Sequence, residues 1–132
     1  STRSWWAAAL DQRIRAVVSV ACLTRYQDLV ADGGVNFHGI YYYVPGMLRE
    51  QIDTESVVGL IAARPHLTLC GEDDLGSPIR GVRTINDFQQ RLYALYGKAD
   101  DYRGVVYPKT GHAYTPDMWR ETLAWLDRHL KP

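Results

Sequence analysis

The period of the apolar positions changes repeatedly along the chain, and each change marks an element. SWWAAALDQR is rich in alanine and reads as a helix. It leads into IRAVVSVAC, a β-branched run short enough to be a buried strand, spanning Ile14–Ala21. The alternation then stops. From Leu23 to Asp53, Gly33-Gly34, Gly39 and Pro45-Gly46 punctuate an aromatic segment that includes Tyr41, Tyr42 and Tyr43, which predicts an insertion. Thr54 is placed to cap a short helix with Val57, Leu60 and Ile61 on one face, and Arg64-Pro65 ends it ahead of a second strand, His66–Cys70. Ile85, Phe88, Leu92 and Leu95 recur at helical spacing in a helix from about Val82 to Tyr96, with Gly97 at its C-terminal stop. Arg103–Tyr107 is the third strand. Thr115 caps a last helix that has Pro116 at its first position and Met118, Trp125, Leu126 and Leu130 as its buried stripe.

This order predicts an α/β fold, a parallel sheet of three strands with helical crossovers and about four to six helices. Consecutive crossovers place each strand beside the last, so the expected order is that of the sequence. The chain divides into residues 1–22, a cap-like insertion at 23–58, and residues 59–132. In parallel sheets catalytic groups gather at the carboxyl ends of the strands. Two loops lie there, GEDDLGSP after the second strand and PKTGHAYTP after the third. They bring a carboxylate, Asp74, and an imidazole, His112, to neighbouring strand ends. A carboxylate there can hold the imidazole's tautomer and stabilise its protonated form, as a general base in acyl transfer requires. The expected separation is about 2.6–3.2 Å. A histidine that merely helps cap the last helix is the plainer alternative.

Charge and composition narrow the partners. The 132 residues carry 15 basic and 15 acidic side chains, with no basic stripe interleaved with aromatics, so no nucleic-acid partner is expected. No apolar run approaches the roughly 18 residues of a membrane span, and STRSWWAAALDQR lacks the regions of a signal peptide. Cys22 and Cys70 have no metal-ligand spacing and are too few for a disulfide framework, so buried free thiols, no metal and a reducing, cytoplasmic compartment are expected.

Three pieces of the sequence resemble the C-terminal half of an α/β-hydrolase, in particular its dienelactone-hydrolase, acetyl-xylan-esterase and prolyl-oligopeptidase-like branches. ARPHLTLCGEDDLGSP is similar to the family's strand followed by a Gly-x-x-Asp-x-x-x-Pro turn, onto which Gly71, Asp74 and Pro78 map. KTGHAYTPDMWRETLAWLDRHL is similar to the Gly-His turn and closing helix. STRSWWAAALDQRIRAVVSVA resembles the helix and strand that follow the nucleophile elbow. The resemblance implies Asp74 as the triad acid, with Asp73 the alternative, and His112 as the base, in the family's order of acid before histidine. It also implies that the insertion caps the pocket, with Tyr41, Tyr42, Tyr43 and Met47 lining an acyl or alcohol site.

No Gly-x-Ser-x-Gly occurs in the sequence. By resemblance the nucleophile falls about three residues ahead of Ser1, and both oxyanion donors also lie outside. Ser1 and Ser4 lack the flanking glycines of an elbow, Ser19 is mid-strand, Ser56 is inside a helix, and Ser77 lies in the acid's turn. His38, in NFHGIYYYVPG, follows the nucleophile's place in the order and so does not fit an oxyanion loop; His66 and His129 read as structural or surface groups, and the four tryptophans as core. The expected function is thus the acid- and base-bearing portion of a serine hydrolase acting on small-molecule carboxylic esters without a cofactor, inactive by itself. Its first strand, short of a neighbour, would invite self-association. The alternatives are a non-catalytic binding module on the same fold and a peptidase of the same superfamily.

Overall fold

A computed structural model describes residues 1–131. The helices are α1 (Thr2–Leu10), α2 (Tyr26–Ala31), α3 (Thr54–Val58), α4 (Ile79–Leu95) and α5 (Pro116–Leu130), and the strands are β1 (Val17–Val20), β2 (His66–Gly71) and β3 (Tyr102–Tyr107). All pairing is parallel, in the order β1-β2-β3. Val17 stands beside His66 and Val20 beside Leu69, while β2 runs in register with β3 from His66–Tyr102 to Gly71–Tyr107. Both strand pairs therefore end at the same edge.

The central strand is buried along its whole length because side chains alternate between two covered faces. On one face Val17 packs with Trp5 and Ala8 of α1, Leu29 of α2, Val58 of α3 and Ile85 of α4. On the other, Leu67 and Leu69 meet Met118 and Trp125 of α5, with Val18 and Val20 beside them. The first face also holds polar groups that bond across elements. Thr68 Oγ1 and the Tyr102 hydroxyl both donate to Asn86 Oδ1, at 3.2 and 2.6 Å, tying α4 to β2 and β3. Arg64 acts as a staple: its guanidinium donates to the carbonyls of Ala8, Asp11, Ile14, Leu60 and Ile61, which fixes the end of α1 against the entry to β2.

Several boundaries differ from expectation. Ile14, Arg15 and Ala16 precede β1, because its pairing begins only where the Val17 N–H donates to the Pro65 carbonyl. α3 is capped by Asp53, not Thr54; the Asp53 side chain accepts from the Thr54 N–H. The segment read as irregular contains α2, which low apolar periodicity conceals. Leu60, Leu95, Leu130 and Trp119 are exposed, since the helical segments lay a narrower stripe on the sheet than apolar spacing suggests, and Cys22, in the loop after β1, is only partly buried.

His66 is wholly buried, its Nε2 3.1 Å from Ser19 Oγ, and burial, aided by the Arg64 charge, pushes its pKa down to about 3. The folded chain thus keeps this imidazole neutral where the unfolded chain, with an ordinary value near 6.5, takes up a proton. Stability is full above pH 6.5 and falls as pH drops through the window down to about 3, with a limiting slope of roughly 1.4 kcal/mol per pH unit. In urea titrations at stepped pH, His66→Gln should show a shallower loss across that window; an unchanged slope would assign the acid sensitivity to other groups.

Candidate active site

The two loops at the shared sheet edge are laced together by backbone bonds. Glu72 N–H donates to the Tyr107 carbonyl and Asp73 N–H to that of Thr110, both at 2.9 Å. Gly71 makes this approach feasible, for a Cβ there would run into the carbonyl oxygens of Thr110 and Gly111. Lys109 turns the second loop through a left-handed conformation, φ 52°, and delivers His112 ahead of α5. Thr115 then starts α5, its hydroxyl accepting from the Met118 N–H at 3.3 Å.

Asp74 and His112 are brought together. His112 Nδ1 lies 3.0 Å from Asp74 Oδ2. The carboxylate accepts two further bonds, from Gly76 N–H to Oδ1 at 2.9 Å and from the Ser77 hydroxyl to Oδ2 at 3.1 Å. Its side chain has no exposure, whereas that of His112 is 63 % exposed. A buried acceptor met by three donors is fixed in orientation, and an imidazole that donates through Nδ1 presents an unprotonated Nε2 on the far side of its ring. Ser77 is anchored in turn, because its Oγ accepts from the Cys22 N–H at 2.8 Å. Asp73, the alternative acid, is exposed, and its side chain makes no bond to His112 among the described residues.

His112 stands between two cavities. One, of about 410 Å³, is lined by Ser1, Ser4, Val18, Val20 and Tyr114 among others, at the start of α1 and the edge of β1. The second, of about 340 Å³, is formed by Phe37, Asp73, Asp74, Leu75 and Gly76. Neither contains the aromatics expected from the insertion. Tyr43 and Met47 line a separate apolar hollow of about 240 Å³ with Tyr26, and the Tyr43 hydroxyl donates to the Val35 carbonyl at 2.9 Å. Tyr41 is exposed and packs on Tyr42, ring centres 4.6 Å apart. Phe37 and Leu75 were not legible as lining residues: a single exposed apolar residue on an irregular loop carries no periodic signal.

The thiols are poor nucleophiles in this setting. Burial, with the Asp74 charge adding to it, pushes the Cys70 pKa up to about 12 and raises that of Cys22 as well. Ser19 is occupied by His66 in the core. No group of three or more His, Cys, Asp or Glu side chains among the described residues is arranged to hold a metal ion, and no helix among them is long and apolar enough to cross a membrane.

No family model matches the chain. It is 37% identical over 127 residues to the protein named "Putative hydrolase YtaP" of Bacillus subtilis strain 168, covering 96% of this chain and 42% of that one. The chain thus spans less than half the length of the curated relative it matches. Among solved structures, it superposes on a carbohydrate esterase family 15 glucuronoyl esterase from Caldicellulosiruptor kristjansonii with a TM-score of 0.76 at 18% identity, covering 98% of this chain and 40% of the other. A glucuronoyl esterase from Solibacter usitatus gives a TM-score of 0.77 at 14% identity with the same coverage, 98% and 40%. At these identities the likeness concerns architecture alone. The three parallel strands and their helical crossovers match those neighbours, and the chain carries the corresponding part of the α/β-hydrolase fold.

Proposed function

We propose that this chain supplies the acid, Asp74, and the base, His112, of a serine hydrolase that cleaves carboxylic esters, with the nucleophile and oxyanion donors contributed by a segment preceding Ser1. The observation that carries the reading is the 3.0 Å bond between His112 Nδ1 and a fully buried Asp74 carboxylate, beside a cavity lined by the start of α1. The similarity to a longer protein named as a hydrolase supports it.

In this mechanism the serine hydroxyl attacks the ester carbonyl as His112 Nε2 takes its proton, forming a tetrahedral intermediate. Asp74 keeps the proton on Nδ1 and stabilises the imidazolium. Collapse of the intermediate transfers the Nε2 proton to the departing alcohol and leaves an acyl-serine, which water hydrolyses with His112 again acting as base. Phe37 and Leu75 offer apolar contact beside the imidazole, suited to an uncharged ester group. The free thiols fit a reducing, cytoplasmic setting. The edge of β1, paired on one side only among the described residues, would receive the strand that carries the elbow, and alone it would favour self-association.

The test compares the 132-residue chain with the full-length polypeptide, using an activated ester and a fluorophosphonate probe. The isolated chain is expected to show no turnover and no label. The full-length polypeptide should turn over and label on a serine ahead of Ser1. Labelling of a serine within the 132 residues, abolished by His112→Ala, would overturn the assignment of the nucleophile.

A further inference from the structure

His38 belongs to the insertion, yet it is only 8 % exposed and its ring lies against the turn that carries the acid. Its Nε2 is 2.8 Å from the Gly76 carbonyl oxygen. A carbonyl only accepts, so Nε2 holds the proton and donates. The other nitrogen, Nδ1, is buried and has no hydrogen-bond partner among the described residues. The ring meets Tyr26 edge-on, centres 5.9 Å apart. An aromatic hydrocarbon would fill this place without stranding a polar atom. What the imidazole provides in return is its bond to Gly76.

Gly76 is also the residue through which the turn reaches the carboxylate, since its N–H donates to Asp74 Oδ1 at 2.9 Å. A Cβ on Gly76 would stand 3.3 Å from that oxygen and 3.9 Å from His112 Nδ1, so this residue sits directly against the pair. We propose that His38 is a positioning residue: by holding the Gly76 carbonyl it fixes the orientation of the Asp74 carboxylate, and so makes the placement of the insertion a determinant of how His112 is aligned. The inference rests on the reading of Asp74 and His112 given above. Phe37, the preceding residue, lines the cavity beside His112, so a substrate group seated there bears on the same segment.

Two substitutions in the full-length polypeptide separate this role from packing. His38→Phe keeps the ring against Tyr26 and removes the donor, whereas His38→Gln places an amide N–H near the position of Nε2. His38→Phe should lower kcat on an activated ester by roughly tenfold or more with KM nearly unchanged, as expected for a misaligned catalytic pair. It should also shift or broaden the low-field proton resonance of His112 Nδ1–H, identified by its loss in His112→Ala. His38→Gln should recover most of kcat and the resonance. Wild-type kcat and resonance in His38→Phe, or equal losses in both variants that follow their melting temperatures, would overturn the proposal. The resonance is read without substrate and needs no nucleophile. Should Asp74→Asn leave esterase activity intact, the functional reading fails, and the resonance still decides whether His38 positions Asp74 against His112.

Discussion

In the full-length polypeptide, His112→Ala is expected to lower kcat/KM on an activated ester by about 10⁴-fold or more, and Asp74→Asn by a similar order. The two losses have different origins. Under the proposed mechanism, alanine at position 112 removes the group that takes the serine proton. Asparagine at position 74 retains the shape but not the acceptor pattern. In the native turn both carboxylate oxygens accept, with Oδ2 meeting the Ser77 hydroxyl and His112 Nδ1 together. An amide has one acceptor oxygen, so its NH₂ must face either Gly76 N–H or this pair. Facing His112, it would donate to Nδ1 and move the imidazole proton to Nε2, the tautomer that cannot accept from serine. Folding should suffer little in His112→Ala, whose ring is 63 % exposed. Urea midpoints and kinetics measured on the same preparations check both statements. Activity within tenfold of wild type in either variant would remove that residue from the proposed triad.

The geometry of the pair was legible because it depends on topology more than on side-chain detail. β-branched runs mark the strands, helical spacing between them marks crossovers, and parallel order then places Asp74 and His112 at neighbouring strand ends. Gly71 illustrates the limit. The turn pattern singled it out, but the reason for glycine there is the passage of the Thr110 and Gly111 carbonyls, a contact between loops far apart in sequence. The insertion was much less legible. Its consecutive tyrosines suggested a pocket wall, whereas Tyr43 and Met47 pack with Tyr26 inside the insertion and Phe37 stands beside His112. His38 was noticed for its motif, but its partner is a backbone carbonyl that no spacing rule reaches. Helix faces were half right. Met118 and Trp125 are buried, yet Trp119 and Leu130 are exposed, because apolar spacing identifies a face without fixing how wide a stripe the sheet covers.

A large stability loss is expected at Asp53, a polar residue outside both the sheet and the pair. Asp53 is 4 % exposed, and its carboxylate accepts from the N–H groups of Tyr26 at 2.8 Å, Gln27 at 3.0 Å and Thr54 at 2.7 Å. The first two lie in the opening turn of α2 and the third opens α3, so one negative charge satisfies the positive ends of two helices. Neither helix exceeds six residues, too short to persist on its own hydrogen bonds. The Arg25–Glu55 ion pair spans the same junction but is partly exposed and adds little. Asp53→Ala strands these N–H groups in a buried site and should cost about 3 kcal/mol, at roughly 1 kcal/mol for each bond lost. Asp53→Asn, which keeps one acceptor oxygen, should fall between the two. Because α2 leads into the loop bearing Phe37 and His38, loosening its start also slackens the hold on Gly76, so under the proposed function the esterase activity of the full-length polypeptide should drop even at temperatures where the fold persists. Urea unfolding of wild type, Asp53→Ala and Asp53→Asn provides the check. A loss below about 0.5 kcal/mol in Asp53→Ala would mean that water takes over the three N–H groups and that the carboxylate does not organise the insertion.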